Sequence, residues 1–157
     1  MGEKPFEIVY LCDNIYFAET AAKWIFDEFI DGIKDRTYEE VVASWKNCNR
    51  DKLPIRLVAV IDGRCAGAIS IVENDLRCRE YTPWLASLYV DEKLRKNGIG
   101  RALIERVKEI ARGMGYKEIY LRTEHASGYY RKLGWEYVET TNDDFNLVPD
   151  VFKWKLV

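Results

Sequence analysis

The sequence predicts an α/β (α+β) fold, a mixed sheet of about seven strands flanked by about four helices. Strand-like and helix-like apolar patterns follow one another in the order β-α-α-β-β-β-α-β-α-β-β. Asp62-Gly63 joins two β-branched runs as a tight hairpin would, so part of the sheet is antiparallel. The apolar runs beginning at Trp84 and at Glu118 are separated by a helix, as a crossover requires. No repeat or Ser/Gly/Pro-rich linker divides the 157 residues, which suffice for a single domain, 1–157, with its own core.

The first strand is FEIVYLC (6–12). Phe17, Ala21, Trp24, Ile25 and Phe29 then recur at helical spacing, and Asp31-Gly32 ends that helix. Thr37 followed by Glu40 forms a capping-box pattern for a second helix, with Val41, Val42 and Trp45 as its apolar contacts. Residues 55–61 and 65–72 are the hairpin strands, and the polar stretch 73–82 is a loop. Pro83 opens WLASLYV (84–90), whose nearly unbroken apolarity predicts a central strand buried on both faces. Ile99, Ala102, Leu103, Val107, Ile110 and Ala111 mark a third helix, ending at Gly113 or Gly115. Residues 118–122 are a short strand, and 126–133 a short helix stopped by Gly134. Strands at 135–140 and 151–156 flank the polar loop 141–149. The C-terminal VFKWKLV fits either completion of this sheet or exchange across a homodimer.

Composition narrows the function classes. Hydrophobic residues at 48% and charged residues at 32% describe a globular chain, and a net charge of -2 gives no global reason for nucleic-acid binding. Cys12, Cys48, Cys65 and Cys78 form no CxxC pair, and His125 is the single histidine, so no zinc-type ligand set is expected. The N-terminus lacks the apolar core of a signal peptide, and Phe6 breaks the myristoylation pattern after Gly2. No run is long enough to cross a bilayer, so no membrane role is expected and the expected location is cytoplasmic.

Two stretches carry chemistry. In RKNGIGR (95–101), Gly98 and Gly100 open the backbone where a strand passes into a helix. Helix N-termini present unpaired N–H groups and partial positive charge, and Arg95, Lys96 and Arg101 add to it, so a pyrophosphate would be welcome there. The same letters fit an ordinary turn with glycines at positive φ and solvated charges. Neither GxGxxG nor a Walker-type loop is present, and no Mg²⁺ ligands accompany the loop, which argues against a nucleotide-dependent phosphotransferase. In TEHASGYYRKLGWEYV (123–138), Ala126 and Tyr130 share a helix face. A tyrosine is protonated at neutral pH and suits protonation of a leaving thiolate, but Tyr129 and Tyr130 also fit as plain amphipathic core residues.

V-x-x-x-x-R-K-N-G-I-G (90–100) resembles the acyl-CoA motif, Arg/Gln-x-x-Gly-x-Gly/Ala, of the GCN5-related N-acetyltransferase (GNAT) superfamily. A-S-G-Y-Y-R-K-L-G-W (126–135) resembles its second signature, a Tyr followed by x-Lys-x-Gly-aromatic. Their separation and the element order from Phe6 to Leu156 fit as well, so the resemblance covers essentially the whole chain. It implies a mainly antiparallel sheet and an acetyl-CoA-dependent N-acetyltransferase acting on a primary amine of a small molecule or peptide. The alternative is a non-catalytic acyl-CoA-binding or regulatory domain on the same fold.

By that resemblance, backbone groups of Leu88 and Val90 hold the pantetheine arm. Arg95, Lys96, Asn97, Gly98, Ile99, Gly100 and Arg101 cradle the CoA pyrophosphate, and Tyr130 is the general acid. The amine attacks the thioester directly, and N–H groups of the splayed strand stabilise the oxyanion. No metal takes part. The chain departs from the family pattern with Glu92 in place of a frequent Pro, Thr123 in place of a frequent Asn, and Trp135 in place of a Phe. The strand 84–90 also lacks the carboxylate that many members use to relay the amine's proton. Glu80, acting through a water, is the expected substitute, with Glu73, Glu124, His125 and Ser87 as further candidates. The acceptor end falls to 24–45 and 73–84, where acidic residues favour a cationic amine and Arg36, Arg77 and Arg79 oppose one.

Overall fold

The computed structural model describes residues 5–157. Its centre is a seven-stranded sheet in the order β1-β2-β3-β4-β5-β7-β6. The strands are β1 (Glu7–Tyr10), β2 (Ile55–Ile61), β3 (Arg64–Val72), β4 (Trp84–Val90), β5 (Glu118–Thr123), β6 (Glu136–Thr140) and β7 (Asp150–Lys155). Every neighbouring pair is antiparallel except β4 and β5, which are parallel. The helices are α1 (Ala18–Ile25), α2 (Tyr38–Lys46), α3 (Ile99–Gly113) and α4 (Ser127–Lys132). The β2–β3 turn holds both Asp62 and Gly63 at positive φ, 50° and 76°, as a two-residue hairpin demands.

The sheet separates two layers of core. On one face α3 buries Ile99, Leu103, Ile104, Val107 and Ala111 against β2 and β3, together with Tyr130 and Trp135 from the α4 region. That approach is close: a Cβ on Gly67 of β3 would lie 3.1 Å from the Tyr89 carbonyl oxygen and 3.3 Å from Ile99 and Leu103. On the other face α1 and α2 pack Ala18, Ala21, Ala22, Ile25, Val41 and Trp45 against Val58 and Ala68. The capping box of α2 forms in both directions, with Thr37 N–H donating to Glu40 Oε1 (2.9 Å) and Glu40 N–H to Thr37 Oγ1 (3.1 Å).

Three expectations need correction. The first strand stops at Tyr10, because Leu11 turns inward, fully buried, in a short 3₁₀ turn. The first helix is not uniform: it begins in a 3₁₀ turn and continues past Ile25 as π-helix over Phe26–Ile30. The π turn is closed by Asp31 N–H donating to the Phe26 carbonyl at 2.8 Å. β4 is buried at Trp84, Leu85 and Ala86 only; from Ser87 onward it is half-exposed. VFKWKLV completes the sheet within its own chain, since β7 lies between β5 and β6.

Candidate active site

The site begins where the sheet comes apart. β4 and β5 pair only at Trp84↔Tyr120, fixed from below by Tyr120 N–H donating to the Pro83 carbonyl at 3.0 Å. Trp84 anchors this junction: it is fully buried, and its indole N–H donates to the Tyr81 carbonyl. Beyond it β4 carries one extra residue against β3, with Tyr89 opposite Ala68 but Ala86 opposite Ser70. Ser87 in this bulge has φ +56°, a conformation non-glycine residues hold only where the surroundings enforce it. The bulge bends β4 away, leaving its β5-facing edge without a strand partner.

A cavity of about 560 Å³ occupies the split. Ala86, Ser87 and Leu88 form one wall, and Leu121, Thr123, Ala126 and Tyr130 another. At the far end it reaches the π-helical turn (Glu28, Phe29, Ile30), α2 (Ser44, Trp45) and the loop residues Asn74 and Asp75. The structure therefore brings Leu88 and Tyr130 to one space. Val90 and residues 95–101 do not line it; they lie beyond Leu88, where β4 runs out into α3.

Tyr130 is 8% exposed, whereas the neighbouring Tyr129 is 45% exposed, so the two tyrosines separate into one inside and one outside. The Tyr130 ring lies edge-on to Trp135 at 6.0 Å. Its hydroxyl has no hydrogen-bond partner among the described residues, and the side chain lines the cavity. Burial first, and then Tyr129 beside it, push its pKa up to about 12, so it keeps its proton at any physiological pH.

At the start of α3, Gly98 has φ +83° and no side chain caps the first-turn amides. A Cβ on Gly98 would meet nothing within 4 Å, and one on Gly100 would touch only Val90 at 3.5 Å, so the backbone stays open to an approaching group. Lys96 is exposed with φ +69°, and Arg101 is exposed. Arg95 donates from Nε to the Val90 carbonyl (2.9 Å) and stacks over Tyr89, which ties the loop to the end of β4. Asn97 donates to the Leu94 carbonyl at 3.0 Å. Ile99 is buried under α3, so it offers the loop its amide and no side chain. An uncapped helix start and an unpaired strand edge, with a phenol beside it, fit a phosphate-bearing thioester.

The structure does not bring Glu80 or Glu73 into the cavity; both are exposed and neither lines it. The cause is a tight turn in the preceding loop. Leu76 is buried, Asn74 Oδ1 accepts from Leu76 N–H (3.2 Å), and Arg79 N–H donates to the Leu76 carbonyl (3.0 Å). That turn sends Asp75 inward instead. Its carboxylate makes no hydrogen bond among the described residues, and burial pushes its pKa up to about 6, against the pull of Lys34 and Arg122. Glu124 reaches Arg122 at 3.4 Å, Thr123 Oγ1 accepts from Ala126 N–H (2.9 Å), and His125 sits exposed on the rim.

Sequence reasoning counted Asp75 among the acidic residues of the acceptor end but not as a candidate base, since its burial depends on the turn around Leu76. It also passed over Arg56, although an arginine inside the apolar run IRLVAVI was a visible signal. Arg56 is 6% exposed and lines the cavity.

A parallel split between two strands, with a buried phenol at its side and an open helix start beyond its end, defines an α/β protein with an elongated cleft. Residues 18–135 match the profile of the Acetyltransferase (GNAT) family, and the chain belongs to that family. An uncharacterised N-acetyltransferase of Chlorobaculum tepidum is 29% identical over 82 residues, which is 52% of this chain and about half, 50%, of that relative. An aminoglycoside 6'-N-acetyltransferase solved with coenzyme A superposes with a TM-score of 0.74 at 18% identity, covering 96% of this chain and 97% of that one. The aminoglycoside 6'-N-acetyltransferase of Enterococcus faecium gives 0.72 at 18% identity, with coverage of 96% and 97%. A Salmonella typhimurium protein assigned as an acetyltransferase and solved with acetyl-CoA gives 0.70 at 18% identity, with coverage of 97% and 94%. At these identities the likeness to the solved structures is one of fold.

Proposed function

We propose that the protein is an acetyl-CoA-dependent N-acetyltransferase that transfers the acetyl group directly to a primary amine. The observation that carries this reading is Tyr130, whose hydroxyl has no partner among the described residues, in the wall of the cavity between β4 and β5. Acetyl-CoA, when bound, supplies an activated acyl carbon on a thiol leaving group. The free edge of β4 at Leu88 and Val90 holds the pantetheine arm as a strand would. The amides of 98–101, with Arg95, Lys96 and Arg101, hold the pyrophosphate.

Asp75 takes the amine's proton, directly or through one water. A carboxylate near 6 is largely ionised at neutral pH yet basic enough to accept it. As the new C–N bond forms and the C–S bond breaks, Tyr130 gives its proton to the departing sulfur. It then recovers one from solvent. Asp75 thus replaces Glu80 in the role of base, and Glu80 stays outside the reacting space. The neighbours named for aminoglycosides support a small-molecule acceptor, and four free cysteines support a reducing, cytoplasmic setting.

Isothermal calorimetry with acetyl-CoA, followed by CoA-thiol release across a panel of amines, tests the reading. Micromolar binding and amine-dependent thiol release are expected. Absence of binding overturns the assignment, and binding without turnover of any amine returns the chain to the class of acyl-CoA-binding domains.

A further inference from the structure

The acceptor end of the cavity holds a cation with no counter-charge. Arg56 donates from Nη1 to Ser70 Oγ (2.8 Å), from Nη2 to the Ser44 carbonyl (3.1 Å) and Ser44 Oγ (3.3 Å), and from Nε to the Asn47 carbonyl (3.4 Å). Its guanidinium also stacks over Trp45 at 4.6 Å. Every one of these partners is neutral. Among the described residues no carboxylate reaches ion-pair distance; the groups whose charge Arg56 feels are the Cys48 thiol and another cation, Arg36. Burial first, with Arg36 adding to it against Cys48, draws its pKa down to about 10. A guanidinium has five N–H donors, and one on Nη1 is left over.

Buried charges are ordinarily paired, because an uncompensated one costs several kcal/mol of solvation. The other cations of this cavity differ. Arg122 is held by Asp143 at 2.6 Å and by Glu124, and Lys34 is offset by Asp75. Arg36 stands exposed on the rim beside Arg56 and makes no ion pair among the described residues. Of the cavity's carboxylates, Glu28 in the π-helical turn makes no ion pair with Arg56.

We propose that the missing counter-charge is the carboxylate of the acceptor, which is therefore a small amino acid rather than a polycation. This deepens the N-acetyltransferase reading and rests on it. The sheet register sets the size. Arg56, Ser70 and Ala86 lie in one row across β2, β3 and β4, and the hydrogen bond to Ser70 places the guanidinium over β3. From there the wall of the split is one strand spacing away, about 4.8 Å. Amine and carboxylate are then separated by a few bonds, as in an α-, β- or γ-amino acid, with Asp75 at the amine end and Arg56, with Arg36, at the carboxylate end.

Thiol-release kinetics on matched pairs test this: α-amino acids, β-alanine and 4-aminobutyrate, each against its carboxamide and its decarboxylated amine, with spermidine as the polycationic arm. The amino acids are expected to exceed their uncharged counterparts in kcat/KM by about ten- to a hundredfold, the range of one charge-assisted pair. Arg56→Met should raise KM for the amino acid towards that of its carboxamide, with kcat within about threefold and acetyl-CoA affinity unchanged. Arg56→Lys should retain part of the preference. Arg36→Gln, an exposed substitution, should reduce it even if Arg56→Met fails to fold. Equal rates across each pair, a preference for spermidine, or turnover of no amino acid overturns the inference while leaving the enzyme assignment in place. Loss of acetyl-CoA binding by the wild-type protein overturns both.

Discussion

Tyr130 and Asp75 face one cavity, and burial moves both pKa values upward with opposite consequences. In the proposed reaction the rise secures the proton the phenol is to give, and for the carboxylate it creates basicity. Tyr130→Phe removes one hydroxyl from a packed ring, so acetyl-CoA affinity should persist while kcat falls by about a hundredfold or more. Calorimetry beside single-turnover rates separates the two, and Tyr129→Phe, at an exposed ring, should change neither. For Asp75 the ionised fraction grows as pH rises through about 6, so kcat/KM should climb between about pH 5 and 7. Asp75→Asn should lower the rate and abolish that ascending limb, which a pH–rate profile reads directly. Persistence of the limb in the variant would transfer the role to another group.

At the scale of elements, the proposed function divides the work of donor binding between α3 and β4. Acidic residues stabilise a helix start by about 0.3–1 kcal/mol, and the same charge repels a pyrophosphate. Arg101→Glu at the exposed first turn should therefore hold or raise Tm while weakening CoA binding about tenfold or more. A parallel loss of Tm would make Arg101 a structural residue instead. These elements also show what the sequence could reveal. α2 was legible because its capping box is a local pattern, and the α3 loop because Gly98 and Gly100 stand beside three cations. The bulge at Ser87 was not legible. It arises from an extra residue measured against β3, a relation between distant segments, and Ser87 itself is an unremarkable letter. For the same reason β4 read as buried throughout: beyond Ala86 its Leu88 lines the cavity, and apolarity alone does not distinguish a core from a ligand cleft. Asp75 escaped because its inward turn depends on Leu76 finding the core.

For the whole molecule, the carboxylates divide the pH dependence of stability into two windows. Arg79 and Tyr81 hydrogen-bond Glu139 and hold its pKa down to about 2; Asp150 is lowered by Ser127 and Thr140. Asp143 is also lowered, with Arg122 and the amides of Leu147 and Phe145 outweighing its burial. For such groups the unfolded chain binds more protons, so their contribution is complete above about pH 4.5 and is lost as pH falls towards 2. Asp75 has the opposite sign. Its folded pKa lies above its ordinary 3.8, so the native state holds the extra proton and stability declines as pH rises from about 4 to 6. Urea denaturation should accordingly show a rise followed by a shallower fall. Glu139→Gln should diminish the first limb, and Asp75→Asn should remove the second and stabilise the protein at pH 7. An unchanged second limb in Asp75→Asn would mean that its carboxylate is not desolvated.

The π-helical turn at Phe26–Ile30 gives the proposed acceptor wall an unusual kind of adjustability. A π turn is an α-helix that has absorbed one surplus residue, and each residue rotates a helix by about 100°. Removing a single residue there would restore α geometry and swing the side chains beyond it around the axis, exchanging the groups now presented beside the amine. Acceptor preference in this fold is therefore open to alteration by chain length as well as by side-chain identity, with the donor loop on the far side of the sheet untouched.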